Sequence, residues 1–197
     1  WPGGGGTRTG RVVAGAAGKS ALLEFDLATG ALRRRVIAPD SGAHALGDLA
    51  IGADGAVYVS DGQGSGVYAL DAGATSLRVL VPRGTLRSPQ TPALSADGAT
   101  LFVPDYAKGI AAVDVRTGTI AWIEHPDSLS LKGIDGLYRV GHDLIAVQNG
   151  LVPNRLIRLA IDSAARRVTV STVLASGANA RDVTDAAFAN GAIYYIT

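Results

Sequence analysis

Apolar residues in this chain come in short runs cut by Gly, Asp and Asn, and the runs return in register about every forty-four residues, a period that marks propellers, solenoids and arrays. The clearest register is an apolar run that ends in Asp and a turn. It reads Phe25-Asp26-Leu27-Ala28-Thr29-Gly30, Leu70-Asp71-Ala72-Gly73, Val113-Asp114-Val115-Arg116-Thr117-Gly118 and Ile161-Asp162-Ser163, with Asp intervals of 45, 43 and 48. A second register, Val59-Ser60-Asp61, Val103-Pro104-Asp105 and Val147-Gln148-Asn149, recurs at intervals of 44 and 44. No segment carries helical periodicity, and the turn residues between runs argue for sequential hairpins.

Within one repeat the pattern predicts four strands, at residues 48–52, 56–60, 66–70 and 77–81, with Asp54-Gly55 turning the first hairpin. The next repeats give strands at 92–95, 100–103, 110–114 and 119–123, then at 136–140, 144–147, 156–161 and 167–174. Four antiparallel strands per unit make a β-propeller blade. Second strands such as Leu144-Ile145-Ala146-Val147 and Ile193-Tyr194-Tyr195-Ile196 are apolar on both faces, as expected where neighbouring blades cover both sides. Fourth strands carry charge instead, at Arg33, Arg34, Arg35, Arg78, Arg166 and Arg167, which blunts an outermost edge. The expected fold is therefore all-β, a propeller of four-stranded antiparallel blades over residues 11–197, preceded by a Gly-rich arm at residues 1–10. About four and a half blades are present, because the first repeat lacks its innermost strand and the last, from Asp185 to Thr197, stops after two.

Composition narrows the partners. The chain has 197 residues, 47% of them hydrophobic, and a net charge of +1 with scattered basic residues, so it offers no concentrated footprint for nucleic acid or anionic lipid. Charges interrupt every apolar stretch well short of the roughly 20 residues a membrane helix needs. Cys and Met are both absent. A chain without Met that starts at Trp1 reads as processed, as after export, or as a piece of a longer reading frame; a periplasmic or extracellular location is favoured over a cytoplasmic one. Fifteen Arg against three Lys, with abundant Ala and Gly, suggests a bacterial coding sequence of high GC content.

Candidate chemistry follows from blade geometry. The start of strand one and the end of strand two lie on one face because the strands are antiparallel. Strand-one starts offer Asp48, Gln90 with Thr91, Asp135 and Asp185; strand-two ends offer Asp61, Asp105 and Gln148 with Asn149. Carboxylate and amide oxygens around one channel mouth suit a hard cation such as Ca²⁺, although Asp and Asn at strand ends also serve their own turns. Asp26, Asp71, Asp114 and Asp162, on the opposite face, and Asp54 and Asp97 in Asp-Gly hairpins, are expected to be turn residues. His44, His125 and His142 occupy different blade positions, so they form no zinc spacing; His44, in the loop before Asp48, is the one within reach of the mouth. Gly15-Ala16-Ala17-Gly18-Lys19-Ser20 lacks the first Gly of a phosphate loop, and Gly62, Gly64 and Gly66 lack the last Gly of a dinucleotide loop. No Cys and no nucleophile elbow supports covalent catalysis.

The run Ser88-Pro89-Gln90-Thr91-Pro92-Ala93-Leu94-Ser95-Ala96-Asp97-Gly98-Ala99-Thr100-Leu101-Phe102-Val103-Pro104-Asp105, and after it Lys132-Gly133-Ile134-Asp135-Gly136-Leu137-Tyr138, resembles the senescence marker protein (regucalcin)/gluconolactonase family. That resemblance implies a six-bladed propeller with one divalent cation at the channel mouth, Ca²⁺ with Zn²⁺ or Mn²⁺ as alternatives, and hydrolysis of sugar lactones or related esters. Carried over residue by residue, it makes Asp135 metal ligand and catalytic base and puts Gln90 where a metal-binding Asn is expected. It also puts Gly47 where a substrate-side Asn is expected, and the mouth residues that blade geometry supplies, Asp48, Asn149, Asp185 and His44, are then expected on the substrate side. The family's first-blade Glu has no counterpart in this chain. The competing expectation is a non-catalytic propeller that binds a small molecule or a protein at the same mouth.

Overall fold

The computed structural model describes residues 20–197. The expected arm at residues 1–10 lies outside them, as does nearly all of the phosphate-loop look-alike. Sixteen strands follow in order: β1 (Ala21–Phe25), β2 (Leu32–Ile37), β3 (Leu46–Ile51), β4 (Val57–Asp61), β5 (Gly66–Leu70), β6 (Arg78–Val81), β7 (Ala93–Leu94), β8 (Thr100–Asp105), β9 (Gly109–Asp114), β10 (Ile120–Trp122), β11 (Ile134–Val140), β12 (Asp143–Gln148), β13 (Arg155–Ile161), β14 (Val168–Ser176), β15 (Ala186–Ala189) and β16 (Ala192–Tyr195). A single 3₁₀ turn, Gly177–Ala180, separates β14 from β15.

The strands form three four-stranded sheets, β3-β4-β5-β6, β7-β8-β9-β10 and β11-β12-β13-β14, flanked by the two-stranded sheets β1-β2 and β15-β16. All pairings are antiparallel between consecutive strands, the arrangement of propeller blades. The apolar pattern explains the order within each blade. The middle strands β5 and β9 are sealed on both faces, β5 buried at every residue and β9 at all but its last, whereas β13 keeps Arg158 exposed and the run Ile193-Tyr194-Tyr195-Ile196, expected to be covered on both faces, exposes Tyr194 and Ile196. The outermost β14 is exposed over most of its length.

The core lies between blades. One cluster joins Phe102, Ile110 and Ala112 to Leu144, Ala146 and Ile157 of the next blade, and another joins Tyr58, Val67 and Leu80 to Leu101, Val103 and Val113. Two smaller ones link the flanking sheets, Val36 to Tyr68 and Leu70, and Val147 and Leu156 to Ile193 and Tyr195. Each fully buried Leu, Ile or Val contributes about 1.5–3 kcal/mol relative to exposure, so the stack of blades is held by its interfaces. Outer-strand arginines add clamps. Arg34 pairs with Glu24 and donates to the Ala74 carbonyl of the next blade (2.6 Å). Arg78, forty-four residues on, pairs with Asp71 and donates to the Val115 carbonyl (3.1 Å).

The expected turn residues behave unequally. Asp26 Oδ1 accepts from the amides of Ala28 and Thr29, Asp114 Oδ1 from Arg116 and Thr117, and Asp162 Oδ1 from Arg166 and Arg167. These backbone donors hold all three carboxyls below the usual carboxylate range. Asp71 opens a turn through its carbonyl, which accepts from the Ala74 amide (2.9 Å), while its carboxylate meets Arg78 instead of the turn amides.

Candidate functional site at the channel mouth

A recurring irregularity builds the mouth. In β3, Leu46 pairs Asp61 and Leu49 pairs Val59, so Gly47 and Asp48 stand opposite Ser60 alone. In β11, Ile134 pairs Gln148 and Gly136 pairs Val147, so Asp135 is left without a partner. Between the bridge Pro89 to Asp105 and the pair Ala93 to Phe102, three residues likewise face two. In these three blades the innermost segment thus carries one extra residue, whereas β15 pairs with β16 in unbroken register, and such bulges re-aim side chains out of the ladder. Asp48, Thr91 and Asp135 are the residues that fall in these irregular stretches, and Asp135 lines the mouth.

The mouth opens into a hollow of about 470 Å³, lined by Gln90, Asp135 and Asn149 together with Ser88, Tyr106, Asn154, Asp182 and Thr184. Asn149 Nδ2 donates to Asp135 Oδ2 (2.7 Å), and the Tyr106 hydroxyl donates to Asn149 Oδ1 (3.1 Å). Gln90 commits its amide nitrogen to the Ser88 carbonyl (3.2 Å) and hydroxyl (2.9 Å), so its oxygen is the end it offers. Asn154, with its nitrogen on the carbonyls of Asn149 (3.2 Å) and Leu151 (2.9 Å), accepts from the Asp182 amide (3.2 Å) and ties two loops outside the repeat to the rim.

Asp48 and Asp185 stand beside this hollow. The Asp185 carboxylate is held by the Tyr138 hydroxyl and its own strand's Ala186 amide. Protein surrounding the concave mouth pushes the Asp48 carboxyl above its ordinary value. A hydrogen bond from the Thr91 side chain opposes that rise, and the charges of Asp185 and Asp135 add to it. Solvent still reaches Asp48, so the effect is that of a screened charge in a wet cleft.

His44 does not face the hollow. Expected within reach of the mouth as a substrate-side residue, it is instead buried, with Nδ1 2.6 Å from Asp61 Oδ2 and Nε2 3.0 Å from Asp40 Oδ1. Asp61 and Asp105, expected among the mouth oxygens, are fully buried too. Asp61 Oδ1 accepts from the amides of Ala45 and Gly64 (both 2.8 Å), and Asp105 accepts from Arg87 (2.6 Å) and Ala107 (3.0 Å). Burial alone would raise Asp61, but the two amides and His44 outweigh it and hold the carboxyl below the usual range.

Gln148 does the same work in the fourth blade, donating to the carbonyls of Ser130 and Lys132 and accepting from Arg155. The second register therefore aligns Asp61 and Asp105 with Gln148, not with Asn149. Asn149 and Tyr106 are the residues one step beyond, which is why both emerge at the mouth. Tyr106 could have been found from that register once the one-residue slip was seen. Nothing in the repeat points to Asn154 or Asp182.

No protein-family model matches this chain, and no characterised protein matches it by sequence. Solved structures do resemble it. A protein of the nidogen/laminin complex superposes with a TM-score of 0.59 at 17% identity over 81% of this chain, and an auxiliary nutrient binding protein from Bacteroides ovatus at 0.60 and 16% over 90%. Dihydro-heme d1 dehydrogenase NirN, in complex with DHE, gives 0.59 and 17% over 88%. The chain is a β-propeller. It spans 59%, 42% and 36% of the length of those three proteins, so at these identities the likeness concerns the fold alone.

Proposed function

We propose that the mouth binds a hard divalent cation and, through it, a small oxygen-rich molecule, with lactonase-type ester hydrolysis as the reaction. The observation that carries this reading is the charge imbalance around Asp48. The charges of Asp135 and Asp185 both act on Asp48, and no basic side chain is among the groups that offset them there. A bound cation relieves that repulsion.

The donor set fits such an ion only in part. Gln90 offers an amide oxygen, and Asp135 keeps one carboxylate oxygen beyond the one on Asn149. Among the described residues no three His, Asp or Glu side chains converge on one point, so water has to complete the shell. All-oxygen coordination with retained water favours Ca²⁺ or Mn²⁺ over Zn²⁺, which prefers imidazole and thiolate. When bound, such a cation polarises a carbonyl and acidifies a water. The chain's own part is to hold Asp135 by one oxygen so that Oδ1 is left to accept a proton, while the rim of Ser88, Asn154 and Thr184 supplies hydrogen-bonding groups for a substrate.

The Asn149 nitrogen on Asp135 favours a second reading, a mouth that binds a neutral polar ligand without catalysis. Calorimetric titration and thermal shift with Ca²⁺, Mn²⁺ and Zn²⁺ separate the two. Saturable binding that is lost in Asp135→Ala, together with lactone turnover lost in the same variant, is the expected result. No stabilisation at millimolar cation removes the hydrolase reading.

A further inference from the structure

We propose that Tyr106 is a positioning residue that latches Asn149 in the orientation that keeps one oxygen of Asp135, Oδ2, from a cation. A carboxylate only accepts hydrogen bonds, so Asp135 Oδ2 takes the amide nitrogen of Asn149, and the opposite end, Oδ1, is then held by the Tyr106 hydroxyl. Both contacts select the same orientation of one amide. Tyr106 belongs to the third blade and Asn149 to the fourth, so the latch spans a blade interface.

The backbone is shaped to admit it. Gly133 and Gly150 meet Cα to Cα: a Cβ added at Gly150 would lie 2.5 Å from Gly133 Cα and 2.8 Å from both Cζ and Oη of Tyr106. Gly150 donates to the Gly133 carbonyl (3.0 Å) and Gly133 to the Tyr106 carbonyl (2.8 Å). A methyl at Gly150 would thus occupy the space in which the Tyr106 hydroxyl reaches Asn149, and one at Gly133 would push Gly150 itself away. A tyrosine present merely to fill space needs neither this cradle nor a partner for its hydroxyl.

Removing the hydroxyl leaves Oδ1 without its donor and frees the amide to turn, which brings an oxygen toward Asp135. That arrangement repels unless a cation lies between the two oxygens. Tyr106→Phe is therefore expected to tighten Ca²⁺ binding about five- to tenfold, the worth of one neutral hydrogen bond that no longer opposes the rotation. Asn149→Asp, which presents oxygen at both ends, should tighten it as well and make the tyrosine hydroxyl irrelevant, so the two changes are non-additive.

The cation arm rests on the function proposed above; a second measurement does not. In metal-free protein with ¹⁵N-labelled asparagine side chains, Asn149 should give two resolved amide protons protected from exchange, and Tyr106→Phe should shift them and speed their exchange. Asn149 signals unchanged by Tyr106→Phe overturn the latch, as does calcium affinity equal to or weaker than that of the parent chain. If neither protein binds calcium, the cation reading of the mouth fails and the amide signals alone decide the latch.

Discussion

Asp61 is the residue whose loss should damage this fold most per atom removed. Its side chain is completely buried and spends one oxygen on two backbone amides, Ala45 and Gly64, and the other on His44 Nδ1. Asp61→Ala strands both amides, at about 1–3 kcal/mol each for a buried group left unpaired, and takes from the His44 imidazole its closest carboxylate. Partial collapse and water entry recover some of this, so the expected loss is about 3–5 kcal/mol, a large share of the 5–15 kcal/mol that holds a domain together.

Asp61→Asn keeps the oxygen that serves the two amides and turns an amide nitrogen toward His44, so it should lose about 1–2 kcal/mol, the worth of one charge-assisted bond. Asp71→Ala is the control: it looks the same in sequence, but it is exposed and meets only Arg78, a surface pair worth under about 1 kcal/mol. Urea denaturation followed by circular dichroism, at constant m, reads all three. The acid limb adds a check of sign. A carboxyl held low when folded contributes stability that is present above its unfolded value and is lost as pH falls through the folded one. The advantage of the parent over Asp61→Asn should thus be full at pH 7 and disappear only well below the ordinary carboxyl value. An Asp61→Ala loss within 1 kcal/mol of Asp71→Ala, or an Asp61→Asn loss equal to that of Asp61→Ala, would refute the argument.

Asp48→Asn should be neutral or stabilising at neutral pH, by under about 1 kcal/mol for a solvent-reached charge. A carboxyl raised on folding costs stability once pH exceeds its unfolded value, so the gain should vanish near pH 3 and shrink in high salt, as chemical denaturation across pH will show. Gly150→Ala forces a methyl into Gly133 and Tyr106 and should cost about 1–3 kcal/mol by overpacking, visible as a lower thermal midpoint. Arg78→Ala cuts the link to the Val115 carbonyl and should speed hydrogen exchange along β6 and β10 more than in β12, measured by mass spectrometry.

The blades were legible because burial in a propeller follows residue type: a strand covered on both faces must be apolar throughout, and Leu144-Ile145-Ala146-Val147 announces itself. Polar residues carry no such label. Asp61 and Asp71 both end an apolar run, and what separates them is the loop returning from the preceding blade to place Ala45 and His44 over one and nothing comparable over the other. Local spacing cannot encode a contact made sixteen or seventeen positions away. The slip that puts Gln148, not Asn149, in the structural role arises the same way, from carbonyls at Ser130 and Lys132 that call for a donor where the other blades present amides.

What the repeat does mark is where it fails. Asp48 and Asp135 leave the ladder because β3 and β11 each hold one residue too many for it, and a strand that paired perfectly would have kept both side chains in register with its neighbours. Selection for the fold alone favours full pairing; a bulge at the same place in successive blades gives up ladder hydrogen bonds to aim side chains at one point. The irregularity is therefore stronger evidence for a site than any single carboxylate in it, and it ties the chemistry of the mouth to the one place where the propeller departs from its own pattern.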